Sequence, residues 1–305
     1  MAVSVPPPGF DRPGLGLLLM LGFCTLAPMG DALAKILARD LPVLQLVWIR
    51  FAIQSVILLP LVVVTGRSFA MSRLGWQLTG LRTLLHVAGI WLMTTGLTHL
   101  PLADAIAIAF VMPFILLLLG HYLLGEEVGR RRLAACAVGF AGTLMVMQPS
   151  FVSVGWPVLY PLGVAFVFAG FMLVTRRIAH EADPIAMQAM SGVLAVFGLG
   201  AGYAILPHEG MMALASPSGF WTPLLVMGCM GTAAHLLMTW SLRFAAASTL
   251  APMQYLEIPV AAMIGFLVFG DWPNPLAMAG ISVTIATGLY ILWRERHVPA
   301  VKVVP

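Results

Sequence analysis

Residues 92–126 read LMTTGLTHLPLADAIAIAFVMPFILLLLGHYLLGE, and residues 237–271 read LMTWSLRFAAASTLAPMQYLEIPVAAMIGFLVFGD. Each opens on Leu-Met-Thr, continues through a long apolar stretch and closes on glycine followed by an acid, Gly125-Glu126 in the first and Gly270-Asp271 in the second. The offset of 145 residues also pairs Gly120 with Gly265 and Phe110 with Tyr255; one residue of slippage later, Gly142 pairs with Gly288. Internal repetition of this kind in an apolar chain points to a membrane protein built from two copies of one unit.

Working outward from these stretches, ten apolar runs appear, at about 14–34, 43–65, 74–98, 101–123, 131–148, 156–175, 185–206, 220–241, 246–269 and 275–293. A hydrocarbon core about 30 Å thick takes about 20 residues of helix to cross. Turn or charge signals separate the runs, among them Asp40-Leu41-Pro42, Glu181 to Pro184 and Gly270 to Pro275. Helices follow because lipid offers no hydrogen-bond partners to the backbone, and the continuous runs lack the alternation of barrel strands. The composition agrees: of 305 residues 60% are hydrophobic and only 9% charged, and the mean hydropathy is +0.98. So few charges cannot cover a soluble domain, and so much hydrophobicity excludes disorder.

The 16 Lys and Arg residues orient the chain. With the N-terminus in the cytoplasm, the inner tails and loops hold Arg12, Arg67, Arg73, Arg130, Arg131, Arg132, Arg176, Arg177, Arg243, Arg294, Arg296 and Lys302. The outer loops hold Lys35 and Arg39, and Arg50 and Arg82 fall inside spans. Twelve against two is a strong positive-inside bias, and losing one span would scramble it. The expectation is therefore an all-α polytopic membrane protein of ten transmembrane helices, with both termini cytoplasmic. Five spans per copy is an odd number, so the two repeats are inverted. The chain divides into a tail 1–13, repeat 14–148, a periplasmic link 149–155, repeat 156–293 and a tail 294–305. The N-terminus, with Pro6, Pro7 and Pro8, makes a poor signal peptide.

Several motifs resemble those of one family. These are residues 247–255 (ASTLAPMQY), 269–275 (FGDWPNP) and 288–295 (GLYILWRE) in the second repeat, with residues 100–105 (LPLADA) and 124–127 (LGEE) in the first. The sequence is similar to the drug/metabolite transporter superfamily, EamA type, over about 14–293. The resemblance implies a monomeric or weakly dimeric carrier in a bacterial inner membrane, with a cavity lined by the third, fourth, eighth and ninth spans. The partners it implies are membrane lipids and a small-molecule substrate, with no nucleic acid. The substrate range it implies is wide: amino acids, nucleosides, vitamins such as riboflavin, and drugs.

Charged groups at mid-membrane are costly and usually face a partner or a watery cavity. Glu257, between Pro252 and Pro259 in the ninth span, is the first candidate for proton coupling or for binding a cationic group; the bland alternative is a carboxyl bonded to a neighbouring helix. Gln254 lies one turn away on the same face. His86 and Arg82, four residues apart in the third span, could bind an anionic or aromatic group, or simply pack. His235, with Thr239 and Trp240 nearby, is a further candidate, and His121 reads as interfacial. Asp31 and Arg50 lie at similar depths and read as a structural ion pair or an outer gate, with Asp104 near the same end. Trp91, Phe110, Met112, Trp240 and Tyr255 could form an aromatic and Met-rich wall, the 19 Met residues giving adaptable packing. Gly198 and Gly202 have small-xxx-small spacing and read as helix packing. Cys24, Cys136 and Cys229 lack metal-ligand spacing and read as small packing residues.

No enzyme or cofactor signature appears: His208-Glu209-Gly210-Met211-Met212 lacks the second His of a zinc-protease helix, and there is no Walker loop or nucleophile elbow. The rival reading is a channel or a structural membrane protein; a channel would show rings of like polar residues along a pore, whereas the polar residues here are isolated and at different depths. The reading is a secondary-active carrier of a small polar or amphipathic metabolite working by alternating access. Proton coupling is a candidate, export of an amino acid or other metabolite is the favoured direction, and riboflavin-type import is the alternative.

Overall fold

A computed structural model describes residues 12–112, 114–115, 118–119, 130–179, 181–205, 218–245, 250 and 253–297. His121, the motif at 124–127, most of 247–252 and the His208 to Met212 stretch lie outside the described residues.

The first helix, α1 (Pro13–Leu37), is followed by α2 (Val43–Val64), α3 (Arg73–Leu97) and the short α4 (Leu102–Ala109). Then come α5 (Arg130–Val154), α6 (Leu159–Ile178), α7 (Pro184–Ile205) and α8 (Trp221–Phe244). The second short helix is α9 (Glu257–Ile264), and α10 (Pro275–His297) ends the described chain. No strand occurs among the described residues. Among the described residues, six helical segments are long and apolar enough to cross a membrane: Gly14–Leu37, Val43–Val64, Ala137–Val154, Trp156–Ile178, Pro184–Ile205 and Trp221–Phe244. Their outer faces carry exposed Val56, Val63, Val64, Phe197, Leu225 and others, a surface suited to hydrocarbon and not to water.

The packing follows the duplication. Helix α1 lies along α8, and its counterpart α6 lies along α3; α2 contacts α8 as α7 contacts α3; α1 contacts α9 as α6 contacts α4. Three helices pack on their own counterparts: α2 on α7, α4 on α9 and α5 on α10. The crossing of α5 on α10 is a close one. A methyl carbon at Gly280 would lie 2.5 Å from the Gly142 carbonyl oxygen, and one at Gly142 would lie 2.9 Å from the Gly280 oxygen. Only hydrogen at both positions lets the backbones come this near.

Four expectations need correction. Gly198 and Gly202 do not mediate packing, since a methyl at either would meet nothing within 4 Å. Cys24 is buried as expected, but Cys229 is exposed. Residues 149–154 are not a link: α5 runs on to Val154, and the turn is made at Gly155, whose φ of 77° suits glycine. Finally, the fourth and ninth spans are not continuous helices. The chain leaves helical geometry at Phe110–Val111 and again at Tyr255–Leu256, the same 145-residue offset. In the second break Pro259 has no N–H for the Tyr255 carbonyl, which instead accepts from the Ile258 N–H at 3.3 Å. In the first, Val111 donates to the Ile108 carbonyl at 3.3 Å, a tighter turn than the α-helical one.

Candidate functional site

Both breaks border one cavity of about 70 Å³, several times the room that a single water needs. Helical spacing places its walls. From α1, Phe23, Ala27 and Asp31 recur every four residues and share one face. Helix α3 gives Gly89, Ile90 and Met93; α6 gives Val164 and Phe168, again four apart; α2 gives Arg50 and α8 gives His235. Around the first break stand Ile106, Ala109, Phe110 and Met112, and around the second Gln254 and Glu257.

The two breaks contribute opposite chemistry. At the 145 offset, Gln254 stands where the first repeat has Ala109, and Glu257 where it has Met112. The α4 side is therefore an apolar wall and the α9 side a polar one. The Gln254 side chain is 1% exposed, and neither its oxygen nor its nitrogen has a hydrogen-bond partner. Buried amides are nearly always bonded, so two free ends of one amide at a cavity wall mark a place prepared for something else.

The other sequence candidates fall into three groups. Asp31 and Arg50 do face the same cavity, close enough for electrostatic attraction. The ion pairs within 4 Å among the described residues, however, are Lys35–Asp271 and Arg67–Asp183. Arg50 points at His235, with Nη2 3.4 Å from Nδ1, which is also 3.1 Å from the Gly231 carbonyl oxygen. Behind His235 and off the cavity wall lies His86, the two rings tilted by 33° with centroids 4.2 Å apart. Phe51 and Phe171 pack on His86 as well, at 4.9 and 4.7 Å, and both of its ring nitrogens lack partners.

Arg82, expected to bind substrate beside His86, is instead fully buried in a protein network. Its guanidinium donates to Thr175 at 3.0 Å, Ser191 at 2.7 Å, Gln188 at 2.6 Å and Thr239 at 3.1 Å. It also lies 4.7 Å from the centre of the Phe171 ring. This cluster joins α3 to α6, α7 and α8 on the α3 N-terminal side of the cavity.

The remaining candidates stand apart from the cavity. Trp91 is 39% exposed and packs edge-on against Tyr160. Trp240 packs into a cluster with Leu58 and Ile185 between α2 and α7. Tyr255 is buried against Phe110 at 5.3 Å. Asp104 belongs to a separate hollow at the other end of α4 with Ser150, Asp271 and Trp272, and it accepts a 2.9 Å hydrogen bond from Ser150. Nearby, Lys35 donates to the Leu100 carbonyl at 2.7 Å and lies 3.6 Å from Asp271.

Sequence reasoning missed Phe23 and Phe168. They stack with centroids 6.2 Å apart, and they are 145 residues apart, so the repeat offset already carried the signal. It also confined the cavity to four spans, whereas α1, α2 and α6 share in lining it. No group of three or more His, Cys, Asp or Glu suited to a metal ion occurs among the described residues.

The profile of the EamA-like transporter family matches residues 14–148 and again 155–293. The chain belongs to that family. A characterised relative, the S-adenosylmethionine uptake transporter of Rickettsia prowazekii (strain Madrid E), is 26% identical over 269 residues, covering 88% of this chain and 89% of the relative. The riboflavin transporter of Rhizobium johnstonii is 28% identical over 219 residues, 70% and 69% of the two chains. That of Brucella anthropi is 27% identical over 248 residues, 81% and 86%. A crystal structure with 16% sequence identity superimposes with a TM-score of 0.69 over 94% of this chain and all of its own, so the two share a fold. The family and these relatives are transporters, and this EamA protein is not an enzyme.

Proposed function

We propose that this EamA transporter is a secondary-active carrier of a small amphipathic metabolite, working by alternating access about the cavity between the broken fourth and ninth spans. In this reading the chain crosses a bacterial inner membrane ten times as two inverted five-helix repeats, 14–148 and 156–293, with both termini cytoplasmic. The positive-inside charge distribution and the repeat-related helix contacts support it. The single observation that carries the reading is the cavity itself. Discontinuous helices at corresponding positions of two repeats border a space to which α4 contributes apolar residues and α9 and its break contribute Gln254 and Glu257.

Asp31, Arg50, His235, Gln254 and Glu257 are the proposed polar contacts, and Phe23, Phe110 and Phe168 the apolar ones. Arg82 and His86 support this layer from behind. Glu257 is the proposed proton carrier, being a carboxyl on the cavity wall beside a helix break. A relative named for uptake of S-adenosylmethionine favours import over the export expected from the sequence. A channel is disfavoured because the Arg82 network and the packed His86–His235 pair fill the bundle on one side of the cavity.

The test is counterflow by the purified full-length protein in liposomes, with labelled riboflavin, S-adenosylmethionine and L-threonine as probes. Saturable counterflow of any probe supports a carrier. Glu257→Gln should keep counterflow but abolish acceleration by an imposed proton gradient; a variant that still responds to the gradient rejects the coupling role.

A further inference from the structure

Glu257 and Arg50 were expected from their charge, but the cavity's least explained group is uncharged. Gln254 comes from the polar break, is almost fully buried, and holds out an amide nitrogen and an amide oxygen with no protein partner. An amide in this state offers one donor and one acceptor side by side in one plane. Its natural complement is the reverse pair, an acceptor beside an N–H donor, as in the two-point contacts glutamine makes to an adenine edge. A carboxylate would use only the amide N–H₂ and leave the oxygen bare; an aliphatic alcohol would satisfy one end at a time.

The apolar part of the lining fits the rest of such a group. Ile106, Ala109, Phe110 and Met112 present apolar surface from the first repeat, and Phe23 and Phe168 add two stacked rings. A flat ring can lie on that wall with its polar edge turned to the α9 side. The asymmetry is written in the sequence, because the position matching Gln254 in the first repeat is Ala109. One orientation of the ring is therefore favoured over its twofold-related alternative.

We propose that Gln254 is a specificity-determining residue that reads the amide- or amidine-type edge of a planar nitrogen heterocycle lying on the α4 wall. The inference rests on the carrier reading above and adds the class of substrate to it. A site built to bond such an edge rejects analogues that lack it far more strongly than an apolar pocket rejects a misfit of shape.

Matched ligand pairs test it on the purified full-length protein, read as thermal stabilisation. The probes are lumichrome against 3-methyl-lumichrome, and adenine against N6,N6-dimethyladenine. For at least one pair, the methylated compound should need at least about tenfold more to give the same stabilisation. Gln254→Leu should remove the difference, with Gln254→Met as a second variant if the first fails to fold. The proposal is overturned if neither unmethylated compound binds, if both members of each pair bind within about twofold in the wild type, or if a folded variant keeps the discrimination. L-threonine counterflow in the same preparation separates the two levels. Saturable threonine exchange with no heterocycle bound overturns the role of Gln254 and leaves the carrier standing; no exchange of any probe overturns both.

Discussion

Phe110 and Tyr255 pack ring against ring, tilted by 40° with centroids 5.3 Å apart, and they occupy the same position in the two repeats, 145 residues apart. When two copies of a unit are related by a twofold axis, a residue can touch its own counterpart only near that axis. Phe23 and Phe168 make a second such contact at 6.2 Å. Two self-contacts define a line, and the cavity lies along it, since Phe23, Phe110 and Phe168 all line the space.

A double-mutant cycle on the first pair follows. Phe110→Leu and Tyr255→Leu each keep apolar bulk but lose the ring-on-ring contact. The two should couple by about 0.5–1.5 kcal/mol in unfolding free energy measured in mild detergent. Effects that add to within about 0.3 kcal/mol would mean that the rings meet only by proximity.

The fold was largely legible because lipid allows few solutions. A run such as 43–65 has to be a helix, and it is, over Val43–Val64. The cavity was half legible. Glu257, Gln254, Asp31 and Arg50 stood out because polar groups are conspicuous against an apolar background, and all four line the space. Arg82 stood out for the same reason, yet it is held by Thr175, Gln188, Ser191 and Thr239, whose hydroxyls and amide, scattered over three other helices, gave no linear pattern. Trp91 and Trp240 show the converse: an aromatic ring in a membrane helix carries no sign of which way it faces, and these two face away from the cavity. The breaks in the fourth and ninth spans were invisible to a hydropathy count, because residues 110–111 and 255–256 remain mostly apolar although the helix stops there.

The crossing of α5 on α10 gives a steric prediction. Gly280→Ala would place a methyl carbon 2.5 Å from the Gly142 carbonyl oxygen and 2.9 Å from a Val146 methyl. Backbone cannot yield as a side-chain tip can, so the helices must part. The expected cost is about 1–3 kcal/mol, seen as a fall of several degrees in Tm. Gly198→Ala, where a methyl meets open space, is the control and should leave Tm unchanged or slightly raised. Equal behaviour of the two variants would contradict this crossing.

Gly231→Ala should act on the cavity and spare the fold. A methyl there would lie 2.5 Å from Arg50 Nε and 2.7 Å from Cζ. The far end of that side chain can swing aside, so Tm should hold within a few degrees. The guanidinium would then leave its place beside His235, and binding should weaken. The expectation is a KM raised by about tenfold with little change in maximal rate, which corresponds to about 1.4 kcal/mol of lost binding. An unchanged KM would show that the position of Arg50 does not matter to the substrate.

The Arg82 network should behave as one unit. Thr175 and Thr239 spend their own protons on carbonyls one turn back, Phe171 and His235, each at 2.7 Å, and so turn lone pairs to the guanidinium. Gln188 is aimed in the same way: its Nε2 donates to Gln54 Oε1 at 3.0 Å, which points its own Oε1 at Arg82. Among the described residues no carboxylate hydrogen-bonds to Arg82, so these bonds must compensate for the burial of its charge. Arg82→Met and Gln188→Met should each lower stability by about 1–3 kcal/mol. The double variant should cost less than their sum by at least about 0.5 kcal/mol, because the second change removes a partner already lost. Arg82→Lys keeps the charge but has three donors on a flexible stem against the planar fork of arginine, so it should not restore wild-type Tm. Full additivity, or full rescue by lysine, would show that the charge alone matters and that the four-way bonding does not.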